Sequence, residues 1–134
     1  MGTPLRVLIV EDSDDDCTLL VRRMRRQGYD VAYERVETPS AMSAALDAQT
    51  WDLVISDNAM PYLDALAALA ILQERELAVP FIIISGQIGE DAAITALEAG
   101  ADDYLMKDKL ARLQPALERA LRKTSRRREG DDQG

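Results

Sequence analysis

Apolar positions along the chain alternate between short continuous runs and stretches with helical spacing. Residues 5–10, 53–56 and 81–85 are runs of the first kind, the pattern of central strands buried on both faces of a sheet. Residues 31–36 read as an edge strand and residues 103–106 as a fifth strand. Between the first two strands, Cys17, Leu20, Val21 and Met24 fall at i, i+3, i+4 and i+7 of a helix. Ser13 is placed to cap it, Asp14 to Asp16 sit in its first turn and Gly28 marks its stop. Thr38-Pro39 opens a second helix with a core face of Met42, Ala45 and Leu46, ahead of Trp51. A third helix is expected over about residues 64–74, with Leu66, Leu69 and Ala70 facing inward, and Pro80 ends the connection to the fourth strand. Residues 91–99 make a short helix stopped by Gly100, and Leu110, Leu113, Leu117 and Leu121 line the last helix.

Strands and helices in strict alternation imply consecutive βαβ units, hence an α/β domain with a parallel sheet and helices on both faces. In such sheets ligands sit beyond the carboxyl ends of the strands, at the point where the winding reverses. Residues 1–123 are expected to form this domain. The text after Lys123 loses its apolar period, so residues 124–134 read as a polar tail or linker. No internal repeat is found.

Composition narrows the chemistry. With 134 residues, 47% of them hydrophobic, the chain suits one compact domain with a real core. A net charge of −8, from 24 acids against 16 bases, argues against a nucleic-acid surface and favours cations or basic protein faces as partners. A single cysteine and the lack of a long apolar run leave disulfides, export and membrane spans unsupported, so a cytoplasmic location is the expectation. With no histidine in the sequence, Ser-His or Cys-His catalysis and histidine-based zinc sites would need an imidazole from a partner.

The polar residues that stand out all close predicted strands. Glu11 and Asp12 end the first, Asp57 the third and Lys107 the fifth. Side by side, those ends would form one small pocket of three carboxylates and an ammonium group. Carboxylates about 5 Å apart at an effective dielectric near 20 repel by roughly 3 kcal/mol per pair, so a divalent cation is the expected remedy. Asp14 to Asp16 are read as acids complementing the helix dipole and are left out of the site. Cys17 is read as a core residue.

The segments VLIVEDSDDD, DLVISDNAMP, FIIISG and AGADDYLMK, in that order and spacing, resemble the receiver domain of two-component response regulators over roughly residues 5 to 123. The resemblance implies a flavodoxin-like, doubly wound, five-stranded parallel sheet of order 2-1-3-4-5 with five flanking helices. It makes Asp57 the phosphoacceptor, charged by a sensor histidine kinase or a histidine phosphotransfer protein. Mg2+ would be held by Asp12 and Asp57 directly, by Glu11 through water and by the backbone carbonyl of Ala59. Lys107 matches the lysine that pairs with the phosphoryl group, Ser85 the hydroxyl that bonds it after transfer, and Tyr104 the aromatic switch position. The chain would then be a signalling phosphoacceptor, assisting only its own phosphorylation and dephosphorylation. Partner affinity would change on the surface of the fourth helix, fifth strand and fifth helix. A homodimer through the fourth and fifth helices is suggested by Asp102 and Asp103 near a basic last helix.

Two departures from the family pattern matter. Asp108 follows Lys107 where proline is usual, and a cis bond before a non-proline residue costs roughly 2.5 to 4 kcal/mol, so a trans bond and a modified loop are expected. Ala65 replaces a glycine, and holding it at positive φ would cost about 1 to 2 kcal/mol, so residues 60–65 are expected to take another path. Ala59 has no polar side chain while Gln87 can orient a water, which suggests a long-lived phosphoryl group. Two other readings stand beside this one. The first is a pseudo-receiver that binds partners without being phosphorylated, which Asp108 keeps in play. The second is a magnesium-dependent hydrolase of the haloacid dehalogenase type, which would place an aspartate where Ala59 stands.

Overall fold

The computed structural model describes residues 2–57, 64–86 and 90–133, the side chains of Glu90, Ala92 and 124–133 excepted. Within these residues the strands are β1 (Thr3–Val10), β2 (Tyr29–Val36), β3 (Leu53–Asp57), β4 (Phe81–Ser85) and β5 (Asp103–Met106). The helices are α1 (Asp14–Arg26), α2 (Pro39–Ala48), α3 (Ala65–Glu74), α4 (Glu90–Ala99) and α5 (Leu113–Gln133), with a 3₁₀ turn over Lys107–Arg112. Every pairing is parallel, as the alternating pattern predicts, and the sheet order is β2-β1-β3-β4-β5, the order the resemblance implied.

The continuous apolar runs are explained by a core on each side of the sheet. Leu5, Val7, Ile9, Leu53, Ile55, Ile82 and Ile84 pack with Cys17, Leu20, Val21 and Met24 of α1 and with Leu113, Ala116, Leu117 and Ala120 of α5. Their immediate neighbours Leu8, Val10, Val54, Phe81 and Ile83 pack against α2, α3 and Ala96 of α4. Side chains one position apart point to opposite faces of a strand, so a strand covered on both faces must be apolar throughout. Each fully buried Leu or Ile contributes roughly 1.5–3 kcal/mol. Among the described residues no helix is long and apolar enough to cross a membrane.

Capping chemistry sets where the helices begin and end. Ser13, Thr38 and Asp64 are N-caps whose side chains accept from the N–H of Asp16, Ala41 and Ala67. Gly28, at φ 100°, closes α1 in a conformation that costs an L side chain more than glycine. The inward face of α3 differs from expectation. Ala65, Ala68, Leu69 and Leu72 are buried, whereas Leu66 is 43% exposed and Ala70 is also exposed. This helix is apolar on nearly every side, so spacing alone leaves its rotation open, and the Asp64 cap and the contact with β3 decide it. Leu110 lies in the 3₁₀ turn ahead of α5 and not in the last helix itself.

Candidate functional site

The register of the parallel strands gathers the polar residues at one edge. Val10 lies opposite Ser56, Asp57 opposite Ile84, and Ser85 opposite Met106. Glu11, Asp57, Ser85 and Lys107 therefore end four adjacent strands side by side. β1 is where the winding reverses, since the chain moves from β1 to β2 on one side and returns to β3 on the other.

Glu11 is held from several directions. Its amide donates to Val36 O at 3.0 Å, Arg35 Nη1 donates to its carbonyl at 3.1 Å, and the Ser13 amide donates to its Oε1 at 3.1 Å. Arg35 also pairs with Asp14 at 3.1 Å, so the end of β2 pins the turn that carries the acidic pair. Glu11 is 6% exposed. Burial pushes its carboxyl up to about 7, the Ser13 N–H opposes this, Asp57 raises it further, Lys107 lowers it, and a hydrogen bond with Asp12 raises it.

Asp12 is exposed and Asp57 is partly buried. One carboxylate oxygen from each of Glu11, Asp12 and Asp57 lies within 4.8 Å of the other two. Magnesium binds oxygen at about 2.0–2.1 Å in near-octahedral geometry, which places ligand oxygens about 3 to 4 Å apart. A small inward adjustment, or a bridging water at Glu11, makes the three acids fit that ion. Ala59 and Gln87 lie outside the described residues, as do residues 60–63 of the loop before α3.

Lys107 Nζ reaches Asp16 at 2.8 Å, Glu11 at 3.2 Å and Asp57 at 3.3 Å. Burial alone would pull this amine down, but the hydrogen bond to Asp16 and the charges of Glu11 and Asp57 outweigh it and hold the group firmly protonated. Asp16, expected as an acid complementing the helix dipole, does lie in the first turn of α1, and it also pairs with Lys107. The Ser13 cap holds the Asp16 N–H at the start of α1, and the Asp16 carboxylate accepts from Lys107 Nζ. Its place in the first turn gives no sign of this partner, since Asp14 and Asp15 lie there too.

The peptide between Lys107 and Asp108 is trans. The loop after β5 winds into its 3₁₀ turn, broken at Lys109 (φ −126°, ψ 45°) and anchored where Gln27 Nε2 donates to Leu110 O at 3.3 Å. Ala65 opens α3 without adopting positive φ, so the cost expected of a left-handed residue there does not arise.

Ser85 is buried at 3% exposure. Tyr104 packs against the core shared with α3 and α4. Its hydroxyl is buried and finds no hydrogen-bond partner among the described residues. Asp103 pairs with Arg119 at 2.8 Å and Asp102 with Lys123 at 3.8 Å, both within the chain. A small cavity of about 70 Å³ opens beside Glu11, Asp16, Asp57 and Lys107, walled by Leu20 and Ile84.

Known proteins match the chain over most of its length. The response regulator receiver domain matches residues 7–118. The transcriptional regulatory protein PrrA of Mycobacterium tuberculosis is 35% identical over 105 residues, covering 78% of this chain and 44% of PrrA. The transcriptional regulatory protein ZraR of Salmonella typhimurium is 34% identical over 119 residues, covering 88% of this chain and 26% of ZraR. The chain thus spans less than half the length of either relative. Among solved structures, the receiver domain of a sensor histidine kinase from Pseudomonas aeruginosa, with a magnesium ion coordinated in its active site cleft, aligns with a TM-score of 0.72 and 28% identity. That alignment covers 90% of this chain and 98% of that one.

Proposed function

The chain belongs to the response regulator receiver domain family, and from that premise we propose that it is a phosphorylatable switch charged on Asp57. The donor is a phosphohistidine on a sensor kinase or a histidine phosphotransfer protein, which supplies the imidazole this sequence lacks. The observation that carries the reading is the convergence of Glu11, Asp12, Asp57 and Lys107 at the carboxyl ends of the strands.

The chemistry needs position and charge more than covalent help. An Asp57 oxygen attacks phosphorus, the new P–O bond forms as the P–N bond breaks, and the electron pair returns to the donor's imidazole. Asp12 and Asp57 would hold Mg2+ directly, with Glu11 through water and the Ala59 carbonyl completing the set. Bound magnesium supplies neutralisation of the phosphoryl oxygens. Lys107 donates to one phosphoryl oxygen, and the Ser85 hydroxyl turns to donate to another. Tyr104 follows into the space that Ser85 leaves, and partners read the changed face of α4, β5 and α5. A homodimer on that face would form over the Asp102–Lys123 and Asp103–Arg119 pairs, and sedimentation with and without a phosphoryl mimic tests it.

Intact mass after incubation with magnesium and acetyl phosphate, wild type against Asp57→Asn, tests the acceptor. A single magnesium-dependent phosphoryl adduct lost in the variant is expected. No adduct in wild type despite bound metal would overturn the assignment and favour a pseudo-receiver.

A further inference from the structure

Lys107 carries three N–H donors, and three carboxylates meet them. The shortest contact, 2.8 Å, is to Asp16 and not to the acids of the candidate metal site. The three partners differ in their access to water. The Asp16 side chain is 42% exposed, against 8% for Glu11 and 12% for Asp57. The Lys107 donor on Asp57 can pass to a phosphoryl oxygen there, but the ammonium moves out to meet it only as the pull of another carboxylate is released. Releasing a carboxylate costs least where water already reaches it, because hydration replaces the lost ion pair. Asp16 is that partner.

We propose that Asp16 is a positioning residue that holds the Lys107 ammonium on the α1 side of the pocket and competes with the incoming phosphoryl group for it. The inference rests on Asp57 being the phosphoacceptor. Asp16 is fixed for this role by the helix start, where its own N–H donates to Ser13 Oγ at 3.2 Å. Its negative charge shares one ammonium with Asp57, so it also opposes the approach of an anionic donor. Removing that charge while keeping the shape frees Lys107 for Asp57 and speeds charging.

The test is the rate at which the full chain gains a phosphoryl adduct from acetyl phosphate at saturating magnesium, read by intact mass. In this step the P–O bond to Asp57 forms as the P–O bond to acetate breaks, and acetate leaves with the electron pair. Asp16→Asn is expected to charge about fivefold faster than wild type, the factor an exposed ion pair accounts for. Asp15→Asn removes the same charge one residue away and is expected to stay within about twofold, while Asp16→Glu restores the carboxylate and brings the rate back toward wild type. A merely structural Asp16 would leave the rate unchanged or lower it. The proposal is overturned if Asp16→Asn is no faster than wild type, if Asp15→Asn is equally fast, or if Asp16→Glu keeps the full gain. In each of those cases wild type still charges, so the acceptor assignment stands. A wild type that never charges removes that assignment, and the proposal with it.

Discussion

Replacing Asp57 by asparagine should stabilise the metal-free protein, even though it removes the proposed acceptor. The Glu11, Asp12 and Asp57 oxygens lie within 4.8 Å of one another, and at an effective dielectric near 20 each such pair repels by about 3.5 kcal/mol. Asp57 takes part in two of these pairs. Against them stands its attraction to Lys107 at 3.3 Å, about 5 kcal/mol on the same scale. Over these three charge pairs alone, the balance favours an uncharged side chain at residue 57 by about 2 kcal/mol when Glu11 is ionised. Because Glu11 is raised to about 7, its folded form binds a proton that the unfolded chain has lost between pH 4.5 and 7. Wild-type stability therefore falls as pH rises through that window. Asp57 contributes to that shift, so the advantage of Asp57→Asn grows with pH, full near pH 8 and gone near pH 6, where Glu11 keeps its proton. Urea unfolding followed by Trp51 reads it. That residue is the sole tryptophan, is buried, and donates from its indole to Ala45 O at 3.0 Å. At pH 8 without magnesium the variant's midpoint should rise by about 1 M. Saturating magnesium should reverse the order, since a ligand at about 100 times its Kd adds about 2.7 kcal/mol to the protein that binds it. A variant less stable than wild type at pH 8 without metal would refute the electrostatic account.

Other outcomes follow from contacts around the site. Arg35→Ala frees the Glu11 carbonyl and the turn it holds, and titration calorimetry should show magnesium affinity about tenfold weaker with the fold intact. Tyr104→Phe deletes a buried hydroxyl without a partner among the described residues, so urea unfolding should find the variant as stable as wild type or up to about 1 kcal/mol better. Burial raises the Cys17 thiol from 9.0 to about 11, with Arg35 opposing the shift and Asp14 and Glu11 adding to it. Iodoacetamide at pH 8 should therefore label the unfolded chain and spare the folded one. Stability from the protonated thiol should be full below about pH 9 and lost as pH rises toward 11, which a pH series of melting curves would show.

Local pattern carried most of the fold. Two-sided strands leave continuous apolar runs, and the caps at Ser13 and Thr38 and the stop at Gly28 are written in single residues. The strand-end acids and Lys107 were visible because each closes an apolar run. What spacing could not show was rotation and long-range company. α3 has so many alanines and leucines that several faces look alike. Asp16 meets Lys107 across 91 positions, and Arg35 meets Glu11 across 24. Neither partner has a local signal, since only the closed sheet decides which helix turn and which strand end overlook the pocket.

The Lys107 ammonium joins residues 50, 91 and 96 positions away. Contacts of such separation form only after the intervening chain has collapsed around them. A nascent chain still threading from the ribosome lacks this corner until β5 has been made and docked. The acidic corner is thus one of the last parts of the domain to be assembled, because its lysine arrives with the final strand.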